Sequence, residues 1–316
     1  VLQLIEAIYL IEASKLEVIK NDRNVRLEDM IALANNLQPN FEIKYLVYRD
    51  LRQRGYVVKP NLEPLDFRVF PRGGGPNLTP TKYWVLAFSE RAVFALSDLS
   101  EHLNDALRMK KQLLLAVVDE ESDLTYYLVK RVVPKGKFKD RVPKIVARGL
   151  FLKDRVLVLD EAEGSQLRNE FYYGKMVGNR LQLSLLETAY LMERGILEVV
   201  NINTGRKIGL KRLIRDASKV QPDFKLRLAV YEDLKEKQII AKTGFKYGSH
   251  FRAYTDSPEE HHAKYLVHAF TQRYRGMWPE VSRAVRLAHG VKKDILFGRV
   301  NKGKVTEYVR LQRVKP

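Results

Sequence analysis

The chain has 316 residues, 45% of them hydrophobic, with 56 Lys+Arg against 38 Asp+Glu and a formal net charge of +18. It has no cysteine, which excludes disulfides, thiolate metal sites and cysteine nucleophiles. No apolar run approaches the roughly 18 residues that cross a bilayer, and the basic excess favours a polyanion such as RNA, DNA or an anionic surface, unless it only keeps the protein soluble.

Val1 opens inside an apolar-periodic segment, so residues are expected upstream of it. From there the chain is written twice. LIEAIYLIEASKLEV (4–18) resembles LLETAYLMERGILEV (185–199), and FEIKYLVYRDLRQRGYVVK (41–59) resembles FKLRLAVYEDLKEKQIIAK (224–242). DFRVF (66–70) parallels HFRAY (250–254), TKYWVLAF (81–88) parallels AKYLVHAF (263–270), and MKKQLLLAVV (109–118) parallels VKKDILFGRV (291–300). Each copy reads as helix, short strand, helix, helix and then a mixed sheet. The expected class is mixed α/β: a tandem repeat, each unit with an α/β N-terminal subdomain and a small mixed-sheet, nuclease-like C-terminal subdomain.

In chain order, residues 1–40 are expected to be the remnant of the first N-terminal subdomain and 41–133 a catalytic-like subdomain. Residues 134–144, basic and carrying two prolines, form the linker. The second N-terminal subdomain covers 145–223; within it Gly149–Gly178, containing DRVLVLD, reads as strands. Leu183, Leu186, Ala189 and Tyr190 recur at helical spacing, as do Leu226, Ala229, Val230 and Leu234. In the last subdomain, 224–316, Tyr265–Phe270 alternates as a strand. Pro279 suits a first helical turn, and Ile295–Val300 with Thr306–Val314 reads as a hairpin turning at Asn301–Gly303.

A duplication serves as its own control. Tyr254 faces Phe70 and His262 faces Pro80, whereas Lys293 faces Lys111. The first copy therefore lacks a phenol and an imidazole within a frame that it keeps. The loops diverge as well: Asp119, Glu120, Glu121 and Asp123 stand where the second copy carries Arg299, Lys302 and Lys304 nearby. Such an acidic cluster is either a solvated turn or a plug for a basic groove of a partner subunit.

The segments KTGFKYGSHFRAY, HAKYLV and RAVRLAHGVKK, in that order and spacing, resemble the catalytic domain of archaeal tRNA-splicing endonucleases. The likeness spans nearly the whole chain and is similar to the homodimeric type, in which each chain joins a degenerate and an active copy. It implies a cytoplasmic endonuclease that cuts precursor tRNA at a bulge-helix-bulge, needs no metal or cofactor, and leaves 2′,3′-cyclic phosphate and 5′-hydroxyl ends. The family's tyrosine closes an F-R-x-Y motif, here Tyr254, and its histidine opens H-[SA]-x-Y-L-V, here His262 rather than His261. Its lysine follows the helix and a valine, here Lys293 after Val291. Two family arginines that grip a flipped bulge base match Arg286 and Arg313, and the acidic loop 119–123 is expected at the dimer contact. Ala263 stands where serine is common, and the loop from Tyr254 to His262 is short for the family.

Metal-free RNA cleavage needs a base for the 2′-hydroxyl, an acid for the 5′-oxygen and a positive group for the phosphorane. Histidine suits the acid. Tyr254 is the natural base, because a neighbouring ammonium favours a phenolate; Lys293 serves that purpose or offsets the developing charge directly. Taken singly, Tyr254 is also readable as a strand-edge aromatic, His262 as surface and Lys293 as a strand-start lysine. His250, Lys246 and Tyr247 read as groove or surface residues, and His268 as structural. The histidines have a rival use in a metal site of His261, His262 and His268 with Glu259 or Glu260, but adjacent residues of an extended chain point to opposite faces. Two further rivals are a non-catalytic RNA-binding or assembly subunit, and a metal-dependent DNA nuclease, whose carboxylate pair before E-x-K is missing from the second copy.

Overall fold

A computed structural model describes residues 1–61, 64–138 and 145–316. The first repeat runs through α1 (Leu4–Glu12), β1 (Ile19–Lys20), β2 (Arg23–Asn24), α2 (Leu27–Leu37), α3 (Phe41–Gln53), β3 (Val58–Pro60), β4 (Phe67–Val69), β5 (Tyr83–Ser89), β6 (Val93–Ala95), α4 (Leu96–Arg108), β7 (Gln112–Val118) and β8 (Leu124–Val132). Residues 139–144 of the expected linker lie outside the described residues. The second repeat opens with β9 (Ala147–Phe151), β10 (Arg155–Val158), α5 (Glu161–Asn169), β11 (Lys175–Val177), β12 (Arg180–Ser184), α6 (Leu185–Glu193), β13 (Leu197–Asn201), β14 (Lys207–Ile208) and α7 (Leu210–Val220). It continues with α8 (Phe224–Glu236), β15 (Ile240–Thr243), β16 (Phe251–Tyr254), β17 (Tyr265–Thr271), β18 (Arg275–Met277), α9 (Trp278–Gly290), β19 (Asp294–Asn301) and β20 (Lys304–Val314). The class is mixed α/β with the catalytic-type subdomain present twice.

The chain divides into two compact units. One holds Val1–Arg131, Arg273–His289 and Arg310–Pro316; the other holds Val132–Gln272 and Gly290–Val309. In the first unit β3, β4 and β5 are antiparallel neighbours, β5 and β7 are parallel, and β8 returns antiparallel to β7. A parallel step needs a crossover, which α4 supplies. Tyr48 and Leu51 of α3 meet Phe67, Val85 and Leu114 of the sheet in one core. In the second unit β15, β16 and β17 are antiparallel and β17 pairs parallel with β19. Tyr231 and Leu234 of α8 meet Phe251, Val267 and Leu296. The register is the same in both: Tyr83 faces Gln112 as Tyr265 faces Asp294. The second unit also carries the sheet β11-β12-β10-β9-β13-β14.

Polar and aromatic contacts recur with the register. Tyr126 donates to Asp50 at 2.6 Å, and Tyr308 donates to Asp233 at 2.6 Å. Arg54 pairs with Asp50, and Lys237 with Asp233. Tyr9 meets Tyr48 edge-on at 5.6 Å, and Tyr190 meets Tyr231 edge-on at 5.5 Å. Glu6 at the start of α1 binds Lys59 at 2.8 Å, and Glu187 at the start of α6 binds Lys242 at 3.0 Å. Ser184 and Glu187 form a capping box, and Glu187 also accepts from the Gly174 N–H. Burial would raise the Glu187 carboxyl, but the Lys242 ammonium and these N–H groups hold it below the usual carboxylate range.

Two expectations are corrected. Leu183 ends strand β12, and the helix begins only at Leu185, because Ser184 caps it. The strands of Gly149–Gly178 enclose helix α5, capped by Asp160 accepting from Glu163 N–H at 2.9 Å. Its sequence, EAEGSQLRN, is almost wholly polar, and Gly164 lets it lie against Leu181, whose Cβ would be 3.1 Å from an added Cβ. His250, read as a groove or surface residue, is half-buried and lines a hollow with Lys242 and Arg252; its Nδ1 accepts from Ala269 N–H at 2.9 Å, and its ring meets that of His268 at 5.2 Å. Burial pushes both imidazoles down to about 4, so they stay neutral inside the fold.

The two carboxylate–ammonium pairs differ in shielding. Lys59 is 39% exposed and Lys242 16%. Removing one partner of a buried pair strands the other charge. Glu187→Gln should therefore cost on the order of 3–5 kcal/mol in urea unfolding, and Glu6→Gln about 1 kcal/mol or less. Equal losses at the two sites would contradict this account.

Candidate active site

The strand register sets where the chemistry-bearing residues lie. Ala253 pairs with Tyr265, and Tyr265 with Asp294. One residue further out on each strand stand Tyr254, Lys264 and Lys293, held level by Lys264 N–H donating to Ala253 C=O at 3.0 Å and Asp294 N–H donating to Lys264 C=O at 3.1 Å. Residues level on neighbouring strands share a face, so Tyr254 and Lys293 are separated by two strand spacings, about 10 Å between Cα atoms. The sheet thus brings these two to one end.

Tyr254 is 8% exposed and packs with Ile240 and Ala263. The Arg252 guanidinium lies 5.9 Å from its ring centre. His262 is exposed in the segment 255–264 that joins β16 to β17. Its neighbour Ala263 packs with Tyr254 and Ile240, so the chain that carries His262 passes beside the phenol's cluster while the imidazole itself is exposed. Lys293 is half-buried just ahead of β19; its ammonium donates to Val291 C=O at 3.3 Å and lies 5.9 Å from the Tyr247 ring centre. Lys292 is exposed and takes a left-handed φ of 54°, as Lys110 does at 56° in the first repeat.

Lys264 lies inside HAKYLV and faces Lys82 of the first repeat, but only the strand pairing shows that it is level with Tyr254 and Lys293. Tyr247, read from sequence as a groove or surface residue, is half-buried and reaches Lys293 from the turn Phe245–Tyr247. His261 faces Asp256 at 3.9 Å, whereas His268 lies within β17 stacked on Phe270 at 5.7 Å.

Arg286 and Arg313 belong to the first compact unit, where both are exposed and line one open hollow. Its floor includes Tyr127 and Trp278, stacked at 5.9 Å, and Ser282, which bonds the Tyr127 hydroxyl at 2.9 Å. Burial raises the Tyr127 phenol while the Ser282 bond and both guanidinium charges act to lower it, which puts the two arginines within electrostatic reach of one ring. The acidic loop lies in the same unit. Asp119 is structural in it, accepting from Glu121 and Asp123 N–H at 3.0 and 2.9 Å. Glu120 pairs with Arg91, and Glu121 is exposed.

Comparison with known proteins gives the family. The tRNA intron endonuclease catalytic C-terminal domain matches twice, over residues 41–126 and 224–308, and the N-terminal domain of the same family matches 147–214. The tRNA-splicing endonuclease of Methanococcoides burtonii is 42% identical, over 99% of this chain and 90% of its own length. Those of Methanosarcina mazei and Natronomonas pharaonis are 40% and 34% identical, each over 99% of this chain and 89% of their own length. Two copies of one catalytic fold in a fixed register, with an N-terminal domain between them, are thus matched along almost the entire sequence, and the chain belongs to the tRNA intron endonuclease family.

Proposed function

We propose that this tRNA intron endonuclease cuts precursor tRNA at bulge-helix-bulge junctions by metal-independent transesterification in its second repeat. Tyr254 takes the proton of the 2′-hydroxyl, and that oxygen attacks phosphorus. The bond from phosphorus to the 5′-oxygen breaks, and His262, as imidazolium, gives its proton to the departing oxygen. The products are a 2′,3′-cyclic phosphate and a 5′-hydroxyl. Lys293 offsets the charge that builds on the phosphorane.

The observation that carries this reading is the asymmetry between the repeats. The polar pairs that hold the fold recur in both, such as Tyr126–Asp50 and Tyr308–Asp233. The phenol of Tyr254 and the imidazole of His262 occur in one repeat only, where Phe70 and Pro80 stand in the other. Packing accounts for what is shared and does not account for what differs. A non-catalytic RNA-binding subunit would have no reason to keep the second set.

Because one chain offers a single complete set, cutting both junctions calls for two chains. We propose a homodimer in which the acidic loop, through Glu121 and Asp123, meets a basic surface of the partner. Arg286 and Arg313, around one aromatic-floored hollow, would hold an unpaired bulge base by stacking and charge.

Tyr254→Phe and His262→Ala should each slow single-turnover cleavage of a bulge-helix-bulge RNA by at least about 10²-fold, with RNA affinity within a few-fold and wild-type cleavage undiminished in EDTA. Normal rates in either variant remove that residue from the mechanism, and loss of activity in EDTA removes the metal-free route. Arg286→Ala combined with Arg313→Ala should lower cleavage of bulged RNA by about tenfold or more, in line with the ~1–3 kcal/mol of a stacked base; a double variant as active as wild type rejects the clamp. Glu121→Lys with Asp123→Lys should convert a dimer into a monomer in light scattering, whereas an unchanged mass would rule out the acidic contact.

A further inference from the structure

Residues 134–138 belong by sequence to the linker, yet they are built into the second unit beside Tyr254. The chain alternates there: Pro134 and Gly136 are buried and Phe138 is half-buried, while Lys135 and Lys137 are exposed. Its backbone is tied on both sides. Gly136 and Phe138 donate to Lys237 and Gln238 C=O at 2.9 and 3.2 Å, and Lys137 N–H donates to Thr255 C=O at 2.9 Å. Gly136 passes so close to the turn after α8 that an added Cβ would lie 1.9 Å from the Gln238 oxygen.

The strap's side chains converge on the segment 255–264 and on the Tyr254 cluster. The Lys137 ammonium binds Asp256 at 2.9 Å, and the same carboxylate lies 3.9 Å from His261, next to His262. Phe138 packs against the cluster of Ile240, Tyr254 and Ala263, together with Tyr172. The Phe138 and Tyr172 rings meet at 5.5 Å, nearly edge-on, and the Lys235 ammonium lies 5.3 Å from the Phe138 centre. Tyr172 holds a φ of +59°, a costly conformation for an aromatic residue. Strain of this kind persists where the surroundings over-determine it, and functional sites are where it clusters. Here the Tyr172 hydroxyl reaches Ser257 at 3.2 Å, and Arg168 of α5 reaches Glu259 at 3.7 Å. One segment, carrying His262 and following directly on Tyr254, is thus gripped by the inter-repeat strap on one hand and by the N-terminal subdomain on the other.

We propose that Gly136, Lys137, Phe138 and Tyr172 are positioning residues that fix the relative placement of Tyr254 and His262 for the cleavage step. This rests on the reading of those two residues as base and acid. In this role the strap acts through the segment it holds, setting the distance over which two proton transfers must be coordinated. A displacement of about 1 Å in such a site costs on the order of 10²-fold in rate.

The test uses the full-length protein and a bulge-helix-bulge RNA, with single-turnover rate at saturating enzyme and RNA affinity measured separately. Gly136→Val and Phe138→Ala should lower the rate about 10- to 100-fold with affinity within about twofold, and Phe138→Leu should recover most of it. Lys137→Glu alters an exposed side chain and leaves the apolar core contacts in place; it should lower the rate several-fold, and adding Asp256→Lys should restore it. Wild-type rates in these variants, or a failed charge exchange, overturn the positioning role, as does a rate loss matched by an equal loss of affinity. Tyr254→Phe and His262→Ala run in parallel separate the two ideas. If they are inactive while the strap variants cut normally, only the strap inference falls; if they cut normally, the assignment of base and acid falls first.

Discussion

The pairing of a helix-start carboxylate with a strand ammonium, Glu187 with Lys242, holds the second unit in its working arrangement. Glu187 closes the capping box of α6, accepts from Gly174, and reaches an ammonium on β15. β15 in turn pairs Ile240 with Tyr254. This shielded ion pair, together with the core that the two subdomains share, thus couples the N-terminal subdomain to the strand that flanks the phenol. In low-dielectric surroundings an ion pair contributes direction as much as energy: removing either charge leaves the other buried without a counter-charge.

Duplication separates what the fold requires from what chemistry requires. The Tyr–Asp bonds, the edge-on tyrosines, the Glu–Lys pairs and the parallel register are present in both halves. Each of them orients secondary structure. The differences gather at one end of the second sheet, at Tyr254 and in the segment that carries His262, beside a lysine, Lys293, that both repeats keep as Lys111 and Lys293. A sheet edge of this kind suits a site for a phosphodiester, because strand ends present side chains at fixed spacing while the adjoining segment brings a further group over them.

Much of this was legible in the sequence. Internal repetition revealed the doubled architecture, since both copies obey one register and hydrophobic positions must repeat with it. Alternation marked β17, and the pair Lys302–Gly303, both with positive φ, made the β19–β20 turn as the pattern of Asn301–Gly303 suggested. Helix α5 was missed because its apolar signal is confined to Leu167 and a glycine contact, too little to show a period. Leu183 was assigned to the wrong element because a strand running into a capped helix keeps apolar residues at both spacings. Tyr254, His262 and Lys293 stood out by motif, but the placement of Lys264 and Tyr247 beside them did not, since closeness across strands leaves no trace in linear order. The strap was hidden for the same reason: a basic, proline-bearing stretch has the composition of a tether whether or not it is tied down.

Phe70, just past the end of β4, is 6% exposed, and Tyr254, the last residue of β16, is 8% exposed. As packing elements they are interchangeable, differing by a single oxygen at a rim. An atom with so little part in folding can vanish from a lineage without any penalty in expression or solubility. Drift will erase it in silence, and purifying selection on the reaction itself is what must keep it in place.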